Sequence, residues 1–252
     1  MSVKSAERVL DVIDYLTLTD EGATLMELSK KLEIPKSSMS QLLGTMLRKD
    51  YLIKTNGNIY KLGHKLITAG NKARISNDIF SSSISILKET VSKTGETVFL
   101  AIRSSEEIIY LAKIDSEDSA RTTAQPGMRK PLHCTGLGKA FLSFEDEDVR
   151  AELLASISLD YHTSHTITDR SKLEKVTSAF RAQGFAIDDE ENDLGVYCIS
   201  APVYGDQGNM IAAISCAGSK ARMLKKRQSV IEEITASAKR ISATQGYNGG
   251  DR

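Results

Sequence analysis

The stretch Ile34-Pro35-Lys36-Ser37-Ser38-Met39-Ser40-Gln41-Leu42-Leu43-Gly44-Thr45-Met46-Leu47-Arg48-Lys49 decides the fold of the N-terminal part. Met39, Leu42, Leu43, Met46 and Leu47 recur at i, i+3, i+4, i+7 and i+8, one buried stripe of an α-helix. The opposite face carries Lys36, Ser37, Ser40, Gln41, Gly44 and Thr45, short or planar side chains that permit close approach to a groove. Pro35 drives Ile34 out of the helical region and suits the first turn of the helix that follows. Lys36, Ser37 and Ser38 stand at that helix start, where free N–H groups favour phosphate.

Working outward, two helices are predicted before this one. Ser5 stands as cap of the first, with Val9, Leu10, Ile13 and Leu16 at helical spacing, and Glu21-Gly22 breaks it. Thr24 and Glu27 make a capping-box pair for a second, short helix burying Leu25, Leu28 and Leu32. On the C-terminal side, Tyr51–Lys54 and Asn58–Leu62 flank Asn56-Gly57, a hairpin signal. Three short helices and a small basic hairpin read as a winged helix-turn-helix over residues 1–67. Its third helix enters the major groove, and Lys54 and Lys61 of the wing meet phosphate. A protein-interaction domain with the same three-helix core is the alternative.

Charge supports the nucleic-acid reading locally and not globally. Lys plus Arg and Asp plus Glu are both 33, a net charge of zero. Between Lys30 and Lys65, however, eight basic residues face two acidic ones, a local +6. The 252 residues are 40% apolar and 26% charged, enough for one large domain or two ordinary ones. No apolar run is long enough for a membrane span, and charges at Lys4, Glu7, Arg8, Asp11 and Asp14 argue against a secretory signal. Cys134, Cys198 and Cys216 frame no disulfide pattern, which fits a reducing cytoplasm.

Residues 68–94 read as linker and dimerisation helices, whose apolar positions Ile79, Phe80, Ile84, Leu87 and Val91 need a partner. The domain division is expected near Asn71 to Asn77. Residues 95–244 read as a sheet with helices against it: strands over 96–103, 108–114, 185–189, 196–204 and 210–217, helices over 135–144, 146–156 and 169–183, and one closing helix over 222–243. Residues 245–252 are expected to be a flexible tail.

The candidates for chemistry are weak. His162 and His165 stand three apart, without an acidic or cysteine ligand at matching spacing, so exposed loop histidines are expected and no metal. His133 and Cys134 are read as strand neighbours pointing to opposite faces, which argues against a nucleophile–base pair. Asp188-Asp189-Glu190-Glu191 reads as turn and sheet-edge acids. Gly136-Leu137-Gly138-Lys139 lacks the full phosphate-loop pattern. No catalytic residue and no cofactor is expected, and an enzyme is the minority reading.

Several long motifs nevertheless stand in a fixed order. They include Ile34-Pro35-Lys36-Ser37-Ser38, Tyr60-Lys61-Leu62-Gly63, Thr94-Gly95-Glu96-Thr97-Val98, Pro131–Ala140, Gly184–Glu191 and Gly195–Val203. On these the chain resembles the IclR-type bacterial transcriptional regulators, from Lys4 to about Ile241. The resemblance implies an α+β chain: a winged helix-turn-helix, a linker helix and a GAF-like mixed α/β effector-binding domain. It implies homodimers or homotetramers on palindromic double-stranded operator DNA, released or recruited by small organic or aromatic acids. Carried over by position, Gly136, Leu137, Asp188, Cys198 and Ser215 form the effector pocket, with Ala217 where some small-acid-binding relatives have serine. Val196, Ile214 and Leu142 are expected to wall it. Gln41 stands where the family usually has arginine, and glutamine suits adenine where arginine suits guanine. The expectation is a cytoplasmic repressor of a catabolic operon, controlled by a hydroxy- or keto-acid, with DNA contacts from Lys36, Ser37, Ser38, Ser40, Gln41, Thr45, Lys54 and Lys61. A non-catalytic small-molecule-sensing protein-interaction module is the alternative.

Overall fold

In the computed structural model, which describes residues 3–75, 78–116 and 124–249, the apolar stripe at Met39, Leu43 and Met46 is buried as its spacing requires. It lies in α3 (Lys36–Arg48), preceded by α1 (Lys4–Thr17), β1 (Ala23–Thr24) and α2 (Leu25–Lys31). Two strands, β2 (Leu52–Lys54) and β3 (Ile59–Leu62), and the helix α4 (His64–Ile75) follow it. The strands form an antiparallel sheet in the order β1-β3-β2. Val12, Leu28, Met39, Leu43 and Leu52 share one core beneath it. Thr24 caps α2 with the reciprocal Glu27 contact its sequence implies. Ser5 does not cap α1. The Val3 carbonyl takes the N–H groups of Ala6 and Glu7, so the helix starts at Lys4, one residue before Ser5.

Residues 1–76 form one compact unit and residues 77–252 a second. Ser76 and Asn77, within the expected division, and Gly250 to Arg252 of the expected tail lie outside the described residues. The second unit begins with α5 (Asp78–Thr94) and the paired strands β4 (Thr97–Ser104) and β5 (Glu107–Ile114). Then come β6 (Arg129–Pro131), α6 (Gly136–Phe144), α7 (Glu147–Ser156) and α8 (Arg170–Gln183). The chain continues through β7 (Ala186–Asp189), β8 (Val196–Tyr204), β9 (Met210–Ser219), α9 (Lys220–Lys225) and α10 (Arg227–Thr244). The six strands make one antiparallel sheet in the order β6-β5-β4-β9-β8-β7.

Side chains alternate across that sheet. Val98, Leu100, Ile199, Ile214 and Cys216 face α5 and α10, whose Leu87, Val230 and Ile234 complete one core. Phe99, Ala101, Ala213 and Ala217 face the other way, into a core with Leu137 and Phe141 of α6 and Leu173 of α8. The apolar positions of α5 are thus satisfied against its own sheet and α10. The single closing helix expected over 222–243 is two helices broken at Lys226. Arg222 grips the buried Glu96 carboxylate with two 2.7 Å bonds, and Lys226 reaches the same group at 2.8 Å. Strand β6, absent from the sequence reading, is short and ends in proline, so no alternation marks it.

Two glycines seat α6. A Cβ at Gly138 would overlap the backbone of Leu132, with the Leu132 carbonyl carbon 2.7 Å away. Backbone cannot yield as a side-chain tip does. Gly138→Ala is therefore expected to destabilise the second unit by roughly 1–3 kcal/mol, read as a lowered calorimetric transition. An unchanged transition would mean that α6 has slack against the turn before it.

Candidate functional site

The sheet face beneath α6 carries polar residues in register. Asp188 pairs with Cys198, and Cys198 with Ala217, so their side chains stand side by side on one face. One row along, Ser200 pairs with Ser215 and Ser215 with Phe99. Over them lies the start of α6. Its cap, Thr135, accepts from the Gly138 N–H at 3.0 Å and donates to the Pro131 carbonyl at 3.0 Å. The N–H groups of Gly136 and Leu137 remain as first-turn donors of this helix. A Cβ at Gly136 would lie 2.6 Å from Ser200 Oγ and 3.1 Å from Cys198 Cβ, so only glycine lets the helix start come this close to the sheet.

Between these layers is a cavity of about 50 Å³ lined by Gly136, Leu137, Asp188, Cys198 and Ser215, among others. That is room for a few waters or a compact solute of a few heavy atoms. All five residues carried over by position border it. Val196 does too, whereas Ile214 and Leu142 do not. Ile214 faces the opposite side of the sheet, and Leu142 packs into the core behind α6. The sequence reading missed Phe99, Tyr110, Lys130 and Asn192, which also line the cavity. Among the described residues, Lys130 is the cation in the lining, with its ammonium 3.5 Å from Asn192 Oδ1. The signal was present in Arg129-Lys130-Pro131, directly before the Pro131–Ala140 motif.

The acidic run departs from a plain sheet edge. Asp188 and Glu191 are buried. Glu191 pairs with the wholly buried Lys139, so Lys139 is committed within the fold and offers nothing to a phosphate. Asp188 Oδ1 accepts from the Glu191 N–H at 2.8 Å. Burial pushes the Asp188 carboxyl up to about 7, against the pull of nearby Lys139. Burial likewise raises the Tyr110 phenol and the Cys198 thiol, so both are protonated and neutral at neutral pH. A larger hollow of about 790 Å³ runs past Arg181, Tyr204, Lys239 and Tyr247, but among the described residues it lacks a comparable set of buried polar groups.

In the first unit, Lys36, Ser37, Ser40, Gln41 and Thr45 lie exposed on one face of α3, and Ser38 is half-buried. Thr45 Oγ1 is engaged with the Gln41 carbonyl at 3.0 Å and with Arg48 at 3.1 Å. Lys54 lies exposed over the Tyr60 ring, 5.3 Å from its centroid. Lys61 is held at the wing base by the Asp20 carbonyl, 3.4 Å away, and by Glu21 at 3.9 Å. No helix among the described residues is long and apolar enough to cross a membrane.

His133 and Cys134 do not lie on a strand. They sit in the turn between β6 and α6, so the opposite-face argument against their approach does not apply. Burial lowers the His133 imidazole below its usual value and raises the Cys134 thiol to about 12. The two are therefore a neutral ring and a neutral thiol.

Comparison with known proteins follows the same division. Residues 5–55 match the IclR helix-turn-helix domain, and residues 72–243 match the family described as bacterial transcriptional regulator IclR C-terminal. The HTH-type transcriptional regulator KdgR of Escherichia coli K12 is 30% identical over 249 residues, covering 98% of this chain and 94% of the relative. The crystal structure of an IclR transcriptional regulator from Alicyclobacillus acidocaldarius superposes with a TM-score of 0.85 at 24% identity, over 98% of this chain and 100% of the other. An IclR homologue from Microbacterium hydrocarbonoxydans, crystallised with 4-hydroxybenzoate, gives a TM-score of 0.82 at 17% identity over 96% and 98% of the two chains.

The raised Asp188 carboxyl has a stability consequence with a fixed sign. Because its value in the folded chain lies above the unfolded one, its cost is absent at acid pH, grows from about pH 4 to about pH 7, and is complete above that. Asp188→Asn is thus expected to raise the melting temperature relative to wild type at about pH 8, with the gap shrinking as pH falls and closing by about pH 4. Melting curves of the two proteins across that range check this. A gap that does not vary with pH would place a different charge in control.

Proposed function

The chain belongs to the IclR family of bacterial transcriptional regulators, and from that premise we propose that it represses a catabolic operon until a compact organic acid enters the cavity beneath α6. As a member of the family it is a DNA-binding regulator that senses a small molecule, and not an enzyme. In this reading Lys36, Ser37, Ser38, Ser40, Gln41 and Thr45 face the major groove, and Lys54 and Lys61 the backbone. Gln41 reads adenine through its amide, where an arginine would read guanine. Two copies, joined through the linker segment 68–94, address a palindromic site, because one recognition helix alone supplies little contact. The second domain is read as GAF-like and the protein as cytoplasmic.

The observation that carries the effector half is the convergence of donors on one small cavity. The Gly136 and Leu137 N–H groups at a helix start favour a carboxylate, and Lys130 adds a cation at the same lining. Asp188, neutral below about pH 7, donates a hydrogen bond to a hydroxyl or keto oxygen instead of repelling the anion. A hydroxy- or keto-acid satisfies both ends. The 4-hydroxybenzoate bound by the Microbacterium homologue carries the same two groups on an aromatic ring, whereas the cavity in this chain is about 50 Å³. The compact aliphatic acid is therefore favoured.

Two experiments address the halves separately. Selection from a random oligonucleotide library is expected to enrich a palindrome. Gln41→Ala should relax preference at one position per half-site, at a cost of roughly 1–3 kcal/mol, while Lys54→Ala should weaken all sequences alike. No enriched site would leave the protein-interaction alternative standing. In a thermal-shift screen of aliphatic hydroxy- and keto-acids, aromatic acids and neutral sugars, the first class should stabilise wild type. Hits confined to neutral sugars would refute an anionic effector.

A further inference from the structure

The loop between α7 and α8 brings a histidine from outside the Pro131–Ala140 motif back to it. Among the described residues, His133, Cys134 and His162 each offer one ligand atom, and these atoms lie within 4.8 Å of one another. The rings of His133 and His162 are 5.8 Å apart, centroid to centroid. His165, the other half of the YHTSH pair, belongs elsewhere, 3.9 Å from the Glu190 carboxylate.

We propose that His133, Cys134 and His162 bind a divalent metal ion of the zinc class. The tautomer of His133 is what points to a ligand. Its Nε2 is 2.9 Å from the Asp160 carbonyl, which can only accept, so Nε2 carries the proton. The lone pair is then on Nδ1, which is buried and has no hydrogen-bond partner among the described residues. A buried acceptor left without a donor is costly, and a metal ion relieves that cost. A histidine whose second ring nitrogen donates to a backbone carbonyl is also the usual orienting arrangement of a metal-ligating imidazole.

The donor set selects the ion. One thiolate and two imidazoles suit zinc, cobalt or nickel and disfavour magnesium or calcium. Zinc with nitrogen and sulfur arms of about 2.0–2.3 Å holds tetrahedral neighbours roughly 3.3–3.6 Å apart. Binding requires the present spacing of up to 4.8 Å to close by about 1 Å; the His162 side chain is exposed, and its backbone N–H donates to Thr166 Oγ1 at 3.2 Å. As the metal–sulfur bond forms, the Cys134 S–H bond breaks and its proton passes to water. Three protein ligands leave a fourth position for water or for Asn192, whose Oδ1 is 3.9 Å from Cys134 Sγ and which also borders the cavity beneath α6. The inference is independent of what enters that cavity.

Cobalt(II) titration of the untagged full chain tests it. One equivalent is expected to produce a thiolate-to-cobalt charge-transfer band with tetrahedral ligand-field absorption, both displaced by zinc. Cys134→Ser should abolish the charge-transfer band. His162→Ala, at an exposed position, should keep the fold and weaken binding by roughly tenfold or more, with His165→Ala matching wild type. Absence of a thiolate band in wild type, an undiminished band in His162→Ala, or equal loss in His165→Ala would overturn the proposal.

Discussion

Lys139 of α6 has no exposed surface, and its ammonium is paired with Glu191 in the turn after β7. Taking two such charges out of water costs several kcal/mol each, and separating them inside the protein costs about 3–5 kcal/mol more. Neither element can therefore drift without stranding a charge. Lys139 follows Gly138, the residue that presses against the Leu132 backbone, and Glu191 gives its N–H to Asp188. One ion pair thus sets the spacing between the start of α6, with its unspent donors, and the strand that carries the buried acid. The cavity is the space that spacing leaves. Lys139 also draws the Asp188 carboxyl downward while burial drives it up, and the balance falls near neutrality.

The opposite face of the sheet is fixed by a second buried charge. Glu96 is fully buried, and Arg222 and Lys226 close on it from α9 and the break before α10. Gly218 lies against that carboxylate, because a side chain there would collide with it. The two anchors differ in exposure: Arg222 and Lys226 keep part of their side chains in water, whereas Lys139 does not. The Glu96 cluster can fray at its edge at little cost. The Lys139 pair cannot, which suits a helix start that must hold donors in place.

What the sequence disclosed follows from how local each signal is. The stripe of α3, the Thr24–Glu27 capping box and the alternation of β8 and β9 are written in neighbouring residues, so they were legible. The motif correspondence located Gly136, Leu137, Asp188, Cys198 and Ser215, whose lining of one cavity depends on strand register. Lys130 was missed because β6 is three residues long and ends in proline. The burial of Asp188 and Glu191 was missed because nothing local distinguishes a buried acid from a sheet-edge one. It takes Lys139, 52 positions away in the chain, to make the burial of Glu191 tolerable. The approach of His162 to His133 and Cys134 was hidden for the same reason, and reading a turn as a strand gave the wrong directions for the last two.

In the proposed function, an acid held by the start of α6 and Lys130 changes the affinity of the first domain for DNA. Fluorescence anisotropy on the selected palindrome, titrated with the acid that stabilises wild type, measures this coupling directly. Wild type is expected to lose operator affinity as the acid is added. Lys130→Ala should need roughly tenfold more acid for the same loss, the worth of one charge-assisted hydrogen bond, with DNA affinity unchanged in the absence of acid. An acid that raises the melting temperature yet leaves operator affinity untouched in both proteins would contradict it.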